Sequence, residues 1–174
     1  MSDTSIHQSR LSERAEVGAN RFLVIHVDGD QYGLPLEQVR EVIRAVWITP
    51  LPHAPAVVMG VIDVRGHYVP VFDMRRRFGR ISPEIDPSER LVIAWTGERQ
   101  IALRADTVAF SFVDVGAGAL EQVQDVIRRD SFITGLAHTT DGLLLIQDLH
   151  AFLTESESAE LEDALMAHVA AQSA

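Results

Sequence analysis

Residues 60–73 read GVIDVRGHYVPVFD, and this stretch decides the fold. Apolar and β-branched residues lie on both sides of Arg65 and Gly66, which is typical of two strands joined by a tight turn. Glycine at position 66 permits the backbone to turn. The stretch predicts a β-hairpin with Arg65 at its tip, where an arginine could serve catalysis, nucleic-acid contact or partner docking.

The segment after the hairpin predicts a short helix. Asp73 stands directly before MRRRFG and predicts the N-cap of a single helical turn, which Gly79 closes. Arginines at 75–77 and at 80 form the basic cluster of this segment. Guanidinium groups pair with carboxylates and pack through their stems, so we expect this turn on the surface, at a protein interface.

Two segments of the chain have counterparts later in the sequence. LVIHVDGDQYGLPLEQV at 23–39 resembles LVIAWTGERQIALRADTV at 91–108, and GVIDVRGHYVPVFDM at 60–74 resembles GLAHTTDGLLLIQDL at 135–149. The order of elements is the same in both halves. The repeat predicts two similar β units of about 65 residues each.

Each unit would hold five short strands, and closing a small sheet removes its free edges. We therefore expect a mainly β fold of two five-stranded barrels packed side by side, as two interleaved subdomains covering approximately 21–85 and 86–153. Residues 1–20 are polar without a sustained period, and predict a flexible arm. Two segments stay open: 37–44 fits a helix turn or a strand that places Val39, Glu41 and Ile43 on one face, and 116–131 fits a short helix or a long loop.

The C-terminal residues 154–174 predict an amphipathic helix over roughly 157–171. Thr154 and Glu157 have the spacing of a capping box. Three apolar residues share one face of this helix: Leu161, Leu165 and Val169. Such a helix could dock on its own barrel, bind a partner or fray.

Composition bounds the class of protein. The 174 residues are 47% hydrophobic, enough for a core, and carry a formal net charge of −10, which disfavours nucleic acid as a partner. There are no cysteines, so disulfides and thiolate metal sites are excluded. We find no transmembrane run and no secretory signal at the N-terminus, and expect a cytoplasmic protein without direct membrane insertion.

No catalytic constellation emerges from the residue types. The histidines lack metal-ligand spacing, and no nucleophile has a base nearby. Asp63, His67 and Asp73 could in principle form a small enzyme or ligand site, but strand geometry gives the carboxylates no shared face. We therefore expect a binding module with no enzyme activity and no cofactor.

Two sequence runs between residues 23 and 79 resemble the CheW-like family of bacterial chemotaxis coupling proteins. They are GDQYGLPLEQVREVI and ITPLPHAPAVVMGVIDVRGHYVPVFDMRRRFG. The resemblance spans 21–153 and implies two SH3-like barrels without enzyme activity. It also implies an adaptor, associated with membrane receptor arrays through its partners, that couples the helical hairpin tip of chemoreceptors to the regulatory domain of a CheA-type histidine kinase.

The resemblance also implies a partner-binding site in the groove between the barrels. The matching positions are Val39, Glu41, Gly60 and Arg65. Each has a plainer explanation: core packing for Val39, a solvated strand residue for Glu41, a backbone requirement for Gly60, and an internal bond that fixes the hairpin for Arg65.

The second half of the chain departs from the family pattern. LRADTV places Arg104 in a strand that in the family is apolar and ends in V-D-x-V. The alternative is therefore a divergent CheW-like protein of a specialised array, controlling pili or second-messenger synthesis, that binds only one of the two partners.

Overall fold

The computed structural model describes residues 21–116, 120–122 and 132–174. The flexible arm predicted for 1–20 lies outside these residues. The described elements are β1 (Arg21–Val27), β2 (Asp30–Pro35), a 3₁₀ turn (Leu36–Gln38), β3 (Val39–Arg44), β4 (Val58–Val64), β5 (His67–Phe72), α1 (Met74–Arg77), β6 (Arg90–Trp95), β7 (Gln100–Ala105), β8 (Thr107–Asp114), β9 (Leu120–Gln122), β10 (Ile133–Thr139), β11 (Gly142–Gln147) and α2 (Glu155–Gln172). Within the described ranges, no helix is both long and apolar enough to cross a membrane.

The strands form two sheets, which confirms the predicted mainly β fold. Sheet I has the order β8-β1-β2-β11-β10-β9, and sheet II has the order β3-β6-β7-β5-β4. Neighbouring strands are antiparallel except β2 with β11 and β5 with β7, which are parallel. Sheet I thus has six strands rather than five, and neither hydrogen-bonded ladder closes on itself in the described part of the chain.

Strands from both halves of the chain, 21–85 and 86–153, are interleaved in each sheet. Sheet I combines the β1–β2 hairpin of the first half with the β10–β11 hairpin of the second, and sheet II combines β4–β5 with β6–β7. Both joins are parallel pairings, β2 with β11 and β7 with β5. The repeat correctly identifies equivalent hairpins, but each sheet takes one hairpin from each half.

The structure decides between the alternatives for parts of the two ambiguous segments, 37–44 and 116–131. Residues 39–44 form strand β3, so the strand alternative is correct there. Leu120–Gln122 forms β9 and pairs with β10, which rules out a helix at that point. Residues 117–119 and 123–131 lie outside the described residues.

Three apolar clusters hold the sheets together. The shared cluster lies between the sheets and includes Ile25 and Leu34 of sheet I, Val92 and Leu103 of sheet II, and Leu161 of α2. Each sheet also has a cluster of its own. The sheet I cluster contains Phe22, Val24, Val115, Ala137, Leu144 and Ile146, and the sheet II cluster contains Ile62, Val69, Val71, Leu91, Ile93 and Ala102. Because the largest cluster draws on both sheets, neither sheet buries its apolar surface alone.

Helix α1 begins and ends as predicted, and its arginines differ in burial: Arg75 is buried and Arg76 is exposed. The Asp73 carboxylate accepts a hydrogen bond from the Arg75 backbone N–H, and Gly79 has a positive φ of 67°. Arg75 is buried and pairs with Asp73 and Asp106. Arg80 pairs with aspartates of the β1–β2 turn in sheet I. The surface position predicted for this cluster does not hold for Arg75, which is buried, whereas Arg76 and Arg80 are exposed. The protein interface expected there stays a prediction.

Helix α2 docks on the chain itself. The predicted capping box of Thr154 and Glu157 is present, and the helix starts two residues earlier than expected. Leu161 is buried, whereas Val169 of the predicted stripe is 46% exposed. Arg77 binds both carboxylate oxygens of Glu157 at 2.9 Å. These hydrogen bonds hold the pKa of Glu157 below its usual value, despite partial burial.

Candidate functional site

The hairpin tip has the geometry of a two-residue β-turn. Strands β4 and β5 pair from Val58 with Phe72 to Val64 with His67, which leaves Arg65 and Gly66 as the turn. Both turn residues have positive φ, 53° and 86°. That combination belongs to a type I′ turn, whose twist matches antiparallel strands. The Asp63 carboxylate accepts a hydrogen bond from the Gly66 N–H at 2.7 Å, and so fixes the turn.

Arg65 and Glu41 come together although 24 residues separate them. The Arg65 Nη2 donates to Glu41 Oε2 at 3.2 Å, with the Arg65 side chain 80% exposed and that of Glu41 31% exposed. An ion pair this exposed stabilises a fold by about 0–1 kcal/mol. The pair is therefore a weak internal bond, and most of the five guanidinium donors are left for a partner.

Val39 does not share a face with Glu41 and Ile43, contrary to the strand alternative proposed above. The register between β3 and β6 shifts between Val39 and Glu41, where a β-bulge adds one residue to β3. Val39 packs against the shared cluster, whereas Ile43 packs against the sheet II cluster. Since an extra residue reverses side-chain alternation, Val39 lies half-buried beside the interface between the sheets.

Gly60 meets a backbone requirement. Thr49 and Val61 exchange two backbone hydrogen bonds of 2.9 and 2.8 Å, which hold the segment after β3 antiparallel against the edge of β4. A Cβ at position 60 would lie 2.1 Å from the Thr49 carbonyl oxygen and 2.8 Å from the Ile48 side chain. Gly60 is buried, and its lack of a side chain permits the close approach of Thr49 to β4.

The carboxylates of the alternative enzyme site are not brought together. Asp63 lies near the tip of the hairpin, opposite Tyr68, whereas Asp73 follows Phe72 at the far end of β5. Five strand residues at about 3.3 Å each separate those ends. Asp73 is also buried against Arg75 and Arg104, so it has no access to a substrate shared with His67 at the tip.

Arg104 of β7 forms a buried network of hydrogen bonds and ion pairs with the connector between α1 and β6, which the sequence analysis did not predict. Arg104 is fully buried, and its guanidinium binds both oxygens of Glu89 at 2.5 and 2.7 Å. It also donates to the carbonyls of Pro83 and Glu84 and pairs with Asp73 at 3.3 Å. Although burial alone raises the pKa of Glu89, the hydrogen bonds from Arg104 hold that pKa below its usual value. Arg104 thereby fixes the connector between α1 and β6.

The sequence signal for this network was present. LRADTV showed an arginine inside an apolar strand, and an unpaired charge at such a position is too costly to bury. The partners of Arg104 come from the connector RISPEIDPSE at 80–89. This connector supplies the Glu89 carboxylate and the backbone carbonyls to which the guanidinium donates.

Comparisons with known proteins agree with the fold. The CheW-like domain family model matches residues 21–157. The solved scaffolding protein TtCheW from Thermoanaerobacter tengcongensis superposes with a TM-score of 0.71 at 27% identity, covering 80% of this chain and 95% of that one.

Two curated relatives show how the similarity is distributed. Chemotaxis protein CheW of Klebsiella aerogenes is 23% identical over 158 residues, which is 88% of this chain and 93% of that protein. Protein FrzA of Myxococcus xanthus is 39% identical over 87 residues, but that match spans only 50% of this chain and 54% of FrzA. Together with the family model, these matches confirm the family predicted from the two sequence runs. The chain belongs to the CheW-like family, whose members are non-enzymatic scaffold and adaptor proteins of chemotaxis.

Proposed function

We propose that this protein couples the helical hairpin tip of a chemoreceptor to the regulatory domain of a CheA-type histidine kinase. The family supports a chemotaxis adaptor role. The observation that carries the finer assignment is the exposed Arg65, held on a rigid turn and only weakly engaged by Glu41. An arginine presented in this way is preorganised for a partner, because its backbone is fixed while its donors are free.

The receptor would contact the surface around the Glu41–Arg65 pair. Arg65 would donate to a receptor carboxylate or to the carbonyls at a helix end. Val39 would line the same region from the side of the shared cluster, and Gly60 would let the segment around Thr49 stay bridged to β4. On this proposal the protein acts in the cytoplasm and reaches membrane receptor arrays only through its partners, without nucleic acid or a cofactor.

The alternative function is binding to one partner only. The buried Arg104 network supports it, because this network occupies sheet II where the family pattern is apolar. On this alternative the kinase-binding or receptor-binding surface would be altered, and the protein would cap an array rather than bridge it.

Replacing Arg65 by alanine should weaken binding of a soluble receptor hairpin roughly tenfold, since a well-placed interface arginine contributes one to a few kcal/mol. Titration calorimetry with that hairpin measures the loss. The melting temperature should stay within experimental error, because the Glu41 pair is exposed.

Arg21→Ala is the matched control, because Arg21 also forms an exposed ion pair, with Asp114 on sheet I. That variant should bind the receptor hairpin normally. A lower melting temperature together with weaker binding of both partners would make Arg65 structural. Unchanged receptor affinity in Arg65→Ala would contradict the proposed site.

A further inference from the structure

Two exposed aromatic side chains line a groove between helix α2 and strands β5 to β7. The groove has a volume of about 530 Å³, and its aromatic side chains are Tyr68 of β5 and Trp95 at the end of β6, each 38% exposed. Pro70 of β5 and Leu165 of α2 add apolar surface to what we call the aromatic groove. Tyrosine and tryptophan are among the residue types most enriched at binding hot spots, so their presence in one groove indicates a binding surface.

The walls of the aromatic groove are fixed by contacts within the chain. The ring of Tyr68 packs against the ring of His168 of α2, with centroids 4.9 Å apart and ring planes at 90°. Arg99 of the β6–β7 turn donates a hydrogen bond to Glu162 of α2 at 2.8 Å. A partner would therefore meet an ordered surface, and little conformational entropy would be lost there on binding.

The strand edge beside the groove does not suit an added strand. The ladder between β5 and β7 covers Val71 and Phe72, so Pro70 lies beyond it, at the groove. In the β4–β5 ladder Pro70 lies opposite Val61, whose N–H points the other way, to the Thr49 carbonyl. Because the residues of such a non-hydrogen-bonded pair direct their N–H groups away from each other, the N–H that proline lacks would have faced the groove. An added strand would find no donor at that position.

The groove does not suit a helix either. Helix α2 already packs on this side of sheet II, through Leu161 and Ala164 of the shared cluster. The space beside it is lined in part by the charged side chains of Glu98, Arg99 and Glu162, whereas a docked helix needs a continuous apolar stripe. A polyproline II segment needs no strand edge, because its backbone is solvated, and its proline rings pack on aromatic side chains.

The uncompensated charge of the groove is negative. Arg99 is paired with Glu162, whose side chain stays 55% exposed. Glu98 is exposed and forms no ion pair with any residue that the structure describes. With His67 neutral, Glu98 leaves the lining with an excess of negative charge. A basic residue in the partner complements this charge, and the chain's net charge of −10 attracts basic segments at longer range.

We propose that the aromatic groove binds a proline-rich protein segment in the polyproline II conformation, with a basic residue beside the prolines. Proline rings would pack on Tyr68 and Trp95, and the Trp95 indole N–H would donate to a carbonyl of the segment. The basic residue would pair with Glu98. This site goes beyond the proposed function and does not depend on it, because neither Glu41 nor Arg65 lines the groove.

Fluorescence anisotropy of a labelled peptide, Arg-Pro-Pro-Pro-Pro-Arg, measures binding to the full chain. Its four prolines hold a polyproline II helix over about 12 Å. The wild type should bind this proline peptide at least tenfold more tightly than two control peptides, one with alanines in place of the prolines and one with glutamates in place of the arginines. Binding of the proline peptide should weaken as salt rises, since the attraction to Glu98 is screened.

Trp95→Ala and Glu98→Arg should each weaken binding of the proline peptide at least tenfold, the first by removing a packing surface and the second by repelling the peptide's arginines. Trp47→Ala is the matched control, because Trp47 is the other tryptophan of the chain, is 84% exposed and lies outside the groove. That variant should bind the proline peptide like the wild type. Glu98→Arg should keep the wild-type melting temperature because Glu98 is exposed, so it tests the site even if Trp95→Ala is less stable.

A wild type that does not bind the proline peptide would overturn this inference. Equal affinity for the alanine peptide, or an equal loss of binding in Trp47→Ala and Trp95→Ala, would also overturn it. Binding of the receptor hairpin and of the kinase regulatory domain is measured separately on the same protein. Failure of the peptide site therefore leaves the proposed function standing, and failure of the proposed function leaves the peptide site standing.

Discussion

Replacing Arg104 by methionine is expected to lower the free energy of unfolding by about 3–5 kcal/mol at neutral pH. Methionine fills a similar volume but removes the cation between two buried carboxylates, those of Glu89 and Asp73. It also leaves the Pro83 and Glu84 carbonyls without their donor. Urea denaturation of the wild type and the variant measures the difference.

The effect of Arg104 should depend on pH in a defined direction. Because Arg104 helps to hold the pKa of Glu89 below its usual value, the stability contributed by this pair is complete above pH 4.5, the ordinary pKa of glutamate, and is lost as the pH falls through the lowered value. The difference in the free energy of unfolding between wild type and Arg104→Met should therefore become smaller as the pH falls.

Arg99→Met is the control for this experiment. Arg99 pairs with Glu162, whose side chain is 55% exposed, so its removal should cost about 1 kcal/mol or less. A loss from Arg104→Met as small as the loss from Arg99→Met would contradict the structural role of the buried network.

Replacing Gly60 by alanine should cost about 3 kcal/mol of folding free energy, since the new methyl group overlaps the Thr49 carbonyl oxygen and the backbone must move. The two hydrogen bonds between Thr49 and Val61 should weaken. We therefore expect faster hydrogen exchange of the Val61 backbone amide. Thermal and urea unfolding measure the stability loss.

Gly66→Ala is the control that distinguishes the steric clash at position 60 from the backbone strain of placing alanine in a turn. Gly66 has a φ of 86°, but a Cβ there meets nothing within 4 Å, so its replacement should cost only the backbone strain of about 1–3 kcal/mol. If the Val61 amide stays protected from exchange in Gly60→Ala, the bridge between Thr49 and Val61 tolerates a side chain at position 60, and the role assigned to Gly60 is contradicted.

The elements that could be predicted from sequence depend on short-range chemistry. The β4–β5 hairpin, the Asp73 N-cap and the Thr154–Glu157 capping box each follow from residues within a few positions of one another. The internal repeat likewise identified equivalent hairpins. Sheet partners could not be predicted, because the pairing of β2 with β11 joins residues more than a hundred positions apart.

The candidate site shows the same limit. The family resemblance named Glu41 and Arg65, and the structure brings them together. It could not reveal the β-bulge that turns Val39 toward the shared cluster, since one added residue leaves the apolar pattern intact. The family resemblance also could not show that the charge of Arg104 is paired. Its carboxylate and carbonyl partners lie on a connector whose polar sequence is typical of exposed surface.

On the proposed function, one molecule of this protein holds a receptor hairpin and a kinase regulatory domain at the same time. Sedimentation velocity of the purified protein with both partners measures this directly. We expect a ternary complex, larger than either binary complex, that forms without competition between the two partners. Binary complexes that exclude each other, or binding of only one partner, would contradict the coupling function.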